Sequence, residues 1–100
     1  MTEQISLEEA MDGVVEYMSD HSQIEVNSKS ERDIDFYLST SEELKEGIVS
    51  NLQEHGWKIH SDELAANPET DEEKFHIKME SPEDPILTAS AAEIFSEYLD

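Results

Sequence analysis

The chain has no cysteine among its 100 residues, which excludes disulfide staples and thiolate metal sites. Basic side chains are also scarce. Lys and Arg number 6 against 26 Asp and Glu, giving a formal net charge of −20. Affinity for DNA, RNA or an anionic membrane surface depends on basic groups, so direct binding to any of them is not expected. No run is apolar enough to span a bilayer. The first residues, MTEQISLEE, lack the basic and apolar parts of a secretion signal, and the expectation is a soluble, cytoplasmic protein. Glycine-rich phosphate loops, nucleophile elbows and calcium loops with their central glycine are also missing. The chain is therefore read as non-enzymatic, with no catalytic residue, cofactor or metal site.

What is present suffices for one small core. Hydrophobic residues make up 36% of the chain, and the whole of 1–100 reads as a single domain. The clearest stretch is Thr40 to Trp57, TSEELKEGIVSNLQEHGW. Thr40 is placed to cap a helix, with Glu43 as its capping-box partner. Glu42, Glu43 and Glu46 favour the positive end of the helix dipole. Leu44, Ile48, Val49 and Leu52 form an apolar stripe at helical spacing, and Gly56 stands where a left-handed cap would end it.

Residues 6 to 21 repeat this pattern at a constant offset of 34 positions, Ser6 falling on Thr40. Glu9 falls on Glu43, Gly13 on Gly47, Val14 on Ile48, Met18 on Leu52 and His21 on His55. Two explanations stand: a duplicated helix–hairpin unit, or two acidic amphipathic helices that resemble each other by chance. The corresponding pseudo-repeats are 6–39 and 40–80, followed by a C-terminal helix over 85–99.

In chain order, helix one runs from about Leu7 to Asp20, burying Leu7, Met11, Val14, Val15 and Met18. The period then becomes alternating. Ile24 and Val26 mark one strand, Ser28 to Glu31 a turn, and Ile34, Phe36 and Leu38 a second strand. After the central helix, Trp57 and Ile59 begin a third strand as core residues. Residues 62–73 (DELAANPETDEE) read as a long hairpin loop. Phe75, Ile77 and Met79 belong to a fourth strand over Lys74 to Glu80. The last helix starts either at Pro85 after an Asp84 cap or at Ala91 after Ser90, and buries Leu87, Ala91, Ile94, Phe95 and Tyr98. The order α-ββ-α-ββ-α implies an α+β fold: a four-stranded, mainly antiparallel sheet with helices on one face.

If the alternation holds, the other face presents Glu25, Asn27, Asp33, Asp35 and Tyr37 from the first hairpin. The second hairpin adds Lys58, His60, His76 and Lys78. Such a face offers either ordinary cross-strand charge pairing or a partner-binding surface, for instance in a homodimer where acidic and basic halves meet. His60 and His76 lie on neighbouring strands, but two imidazoles without a third ligand fall short of a zinc site. His21 and His55, at helix C-termini, suit capping roles.

The charge has two readings. In the first, the protein is a non-catalytic interaction or regulatory module whose acidity reflects a salt-rich cytoplasm. Its partner would be a protein, most naturally one with a basic surface. In the second, it imitates nucleic acid and occupies the basic groove of a DNA- or RNA-binding protein. Glu8, Glu9, Asp12 and Glu16, with Glu42, Glu43 and Glu46, would then form the mimicking surface. Either way, self-repulsion at −20 should weaken the fold at low ionic strength and relax as salt screens it.

Overall fold

A computed structural model of the chain describes residues 5–66 and 73–99. The first helix, α1, spans Leu7–Ser19, and the Ser6 hydroxyl accepts the Glu9 amide at 3.1 Å to cap it. It buries Ala10, Met11, Val14 and Met18, while Leu7 and Val15 pack at the margin of the core. Strands β1 (Ile24–Lys29) and β2 (Asp33–Leu38) form the first antiparallel hairpin, so β1 continues into residues that read as turn in the sequence.

The second helix, α2 (Glu42–Glu54), is capped one residue later than its sequence suggests. Ser41, not Thr40, accepts the Leu44 amide, at 3.3 Å. Its end is a Schellman motif: the Trp57 amide donates to Leu52 and the Gly56 amide to Gln53, with Gly56 at a φ of 92°. Trp57 emerges buried, as its alternation with Ile59 implies.

Strand β3 covers Lys58–Ala66 and pairs with β4 (Glu73–Glu80). The expected loop over 62–73 is thus largely strand up to Ala66, and residues 67–72 lie outside the described part. A bulge between Ile59 and Ser61 explains the difference. It inserts His60 into the ladder and reverses the alternation beyond it, so Asp62 lies opposite Ile77 on the helix side. Asp62 there accepts a hydrogen bond from Lys45 of α2 at 3.2 Å. Lys45 is 8% exposed, and its ammonium lies 5.1 Å from the Phe75 ring centroid. This lysine takes the buried place expected for Leu44, which is exposed.

β1 has a matching irregularity. A bulge between Val26 and Ser28 sets Lys29 opposite Ile34 on the helix side, where it pairs with Asp12 of α1. Each edge strand is thus tied to its own helix by one ion pair.

The chain ends in two helices meeting at Ser90, so both expected starts are used. Helix α3 (Pro85–Ala89) has Asp84 as cap and proline in its first turn, and α4 spans Ala91–Leu99. Thr88 and not Leu87 is buried in α3. Phe95 of α4 meets Phe36 of β2 edge to face, 5.8 Å between centroids.

The sheet order is β1-β2-β4-β3, antiparallel throughout. Helix α1 packs on β1, α2 packs on β3, and α4 touches both helices. The core of Met11, Val14, Met18, Ile34, Phe36, Ile48, Leu52, Ile77, Met79 and Phe95 fills the space between helices and sheet. Two helix–hairpin units thus meet along β2 and β4, the arrangement a duplication would give. The halves differ in hairpin length and in the offset of their caps, Ser6 and Ser41. Among the described residues, no helix is long and apolar enough to cross a membrane.

Candidate functional site

The face of the sheet turned away from the helices carries most of the polar side chains that alternation predicts for it. The antiparallel register sets Tyr37 opposite His76, Asp35 opposite Lys78 and Asp33 opposite Glu80. On the outer side of β4, Lys58 lies opposite Glu80 and Glu63 opposite His76. Residues directly opposite in an antiparallel pair share a face, so these groups form one surface.

Several of the charges on this surface are paired within the molecule. His76 Nε2 contacts Asp35 Oδ1, and the His76 ring stacks on Tyr37 with centroids 4.6 Å apart and planes at 15°. Lys74 lies 3.5 Å from the Glu25 carboxylate. Glu80 receives Lys58 at 3.9 Å, His60 at 3.3 Å and Arg32 at 3.7 Å. The Arg32 guanidinium also donates to the Ser81 carbonyl at 2.8 Å, tying the β1–β2 turn to the end of β4.

The first hairpin gives this face Glu25, Asp33 and Asp35, and the second gives it Lys58, His60, Lys74, His76 and Lys78 together with Glu63 and Glu80. One expectation needs correction: His60 and His76 do not approach each other. His60 enters at the bulge and its ring turns to Glu80, whereas His76 Nε2 is on Asp35 of β2. Asn27, expected in regular alternation, sits at the β1 bulge and is exposed.

Lys74, Glu63 and Glu80 also belong to this face, although the sequence reading did not single them out. The alternation of Lys74, His76, Lys78 and Glu80 was a sufficient signal for β4. Glu63 was hidden by the bulge.

The proposed mimic residues lie on the opposite layer. Glu8, Glu9, Asp12 and Glu16 of α1 and Glu42, Glu43 and Glu46 of α2 are all exposed, and α4 adds Glu93 and Glu97 between those helices. Among the described residues, Asp12 is the one of these acids in an ion pair. The charge is therefore polarised: cations cluster on the sheet face and the helices carry almost uncompensated acid. A groove of mixed character lies where α1 begins, lined by Leu7, Met11, Lys29 and Arg32 with Glu8, Ser30 and Glu31. Comparison with protein-family models, curated proteins and solved structures gives no match.

Proposed function

We propose that the protein is a non-catalytic interaction or regulatory module that docks through the open face of its sheet, with a second copy of this chain as the first candidate partner. Its acidity is then a property of the salt-rich cytoplasm in which it works. The supporting observation is the polarised charge. Lys58, Lys74 and Lys78, half of the chain's six Lys and Arg, share the sheet face with His60 and His76. Other exposed surfaces are dominated by acids, including Glu31, Glu83 and Asp84 in the turns. Another acidic protein meets the least repulsion on the sheet face, where Tyr37 and His76 also offer a flat stacked pair.

Light scattering of the eluting species in 2 M KCl tests this reading. The chain should elute as a dimer and the Tyr37→Glu/Lys78→Glu variant as a monomer. A variant with glutamine at positions 8, 9, 42 and 43 should remain dimeric. A wild-type chain that stays monomeric at every concentration contradicts the dimer.

The acid-rich helical layer favours a second reading, in which those carboxylates occupy the basic groove of a nucleic-acid-binding protein. Under that reading, the glutamine variant loses binding to such a protein at low salt and the sheet-face variant keeps it.

A further inference from the structure

We infer that Asp33, His60 and Glu80 form a binding site for a divalent transition ion of the zinc and cobalt type, independent of the docking proposal. The three residues come from three adjacent strands. Asp33 on β2 lies directly opposite Glu80 on β4, and His60 comes from the β3 bulge. One ligand atom from each lies within 4.8 Å of the other two. A tetrahedral ion with bonds of about 2.1 Å holds its ligand atoms about 3.4 Å apart. His60 Nε2 and Glu80 Oε1, at 3.3 Å, already stand at that spacing. Asp33 is exposed and has room to close the remaining gap.

Both the strand pairing and the bulge favour this placement. Two carboxylates directly opposite in a sheet repel each other, and a shared cation removes that repulsion. The bulge supplies a residue outside the regular ladder, the device by which sheets re-aim a side chain. His76 is not equivalent, because its nitrogen is on Asp35 and its ring is stacked on Tyr37. One imidazole nitrogen and two carboxylate oxygens suit a borderline ion with water completing its shell. Calcium requires six or more oxygens, and magnesium a regular octahedron of them. Arg32 and Lys58 share the Glu80 carboxylate with the ion, so they lower the affinity without blocking the site.

The test is titration of the full chain with Co²⁺, followed by calorimetry and by the visible absorption of the bound ion. It is done in 1 M KCl, so that general attraction to the acidic surface is screened. Saturation at one ion per chain is expected. His60→Ala and Asp33→Asn should each weaken binding about tenfold or more. His76→Ala should leave it unchanged, and Lys58→Gln should strengthen it severalfold. A gain in the last variant cannot come from misfolding, and circular dichroism of each variant checks the losses. Absence of saturable binding overturns the site. So does binding that His60→Ala leaves intact, or that His76→Ala reduces as strongly.

Discussion

Gly13 and Gly47 occupy matching places in the two acidic helices, yet they answer to different constraints. A Cβ on Gly47 would stand 2.7 Å from Tyr98 Cε1, where α4 crosses α2. The Tyr98 hydroxyl there accepts a hydrogen bond from Asn51 Nδ2 at 2.6 Å. A Cβ on Gly13 meets nothing within 4 Å. Gly13→Ala should therefore stabilise the fold by about 0.5–1 kcal/mol through helix propensity. Gly47→Ala should destabilise it, because overpacking of about 1–3 kcal/mol outweighs the same gain. Urea unfolding of both variants in molar salt checks the difference in sign. The sequence match between the two glycines is consistent with descent from one unit, but only Gly47 has a packing reason to remain glycine.

Among elements, the helices and the regular parts of the strands were legible, and the places where a period shifts by one were not. Phe36, Ile77 and Met79 alternate strictly and are buried as expected. Beyond His60 the strand continues, but its inward positions hold Asp62 and the exposed Leu64, a pattern that reads as an acidic loop. The ion pair that makes Asp62 acceptable there comes from Lys45, which no local pattern connects to it. The candidate metal cluster was illegible for the same reason, since the bulge brings His60 to Glu80 and away from His76.

The α2 cap was ambiguous in a simpler way. Thr40 and Ser41 both carry a suitable hydroxyl, and only the backbone path decides which amide each can reach. Ser41→Ala should lower stability by about 1 kcal/mol. Thr40→Ala should stay within about 0.5 kcal/mol of the parent, as an ordinary replacement outside the core. Comparable losses in thermal unfolding of the two variants would return the cap to Thr40.

For the whole molecule, the decisive property is where the charge lies. The net charge of −20 was plain in the sequence, and its polarity was partly legible. Alternation set Lys58, His60, His76 and Lys78 on one sheet face apart from the helix acids, while Lys74 and Glu63 were not assigned to that face. The helical layer is rich in exposed carboxylates, of which Asp12 is paired with Lys29, while Lys45 of α2 turns to Asp62 of the sheet. Such a layer repels itself unless salt screens it, and the screening length falls from about 10 Å at 0.1 M to about 3 Å at 1 M. A protein adapted to a salt-rich cytoplasm needs that screening. A nucleic-acid mimic acting at low ionic strength must stay folded without it. Thermal unfolding from 0.05 to 3 M KCl, with elution volume followed at both ends, separates the two most directly. The account predicts a melting temperature that climbs steeply through molar salt and an expanded or unfolded chain at 0.05 M. A compact chain at 0.05 M, with a melting temperature indifferent to salt, would contradict it.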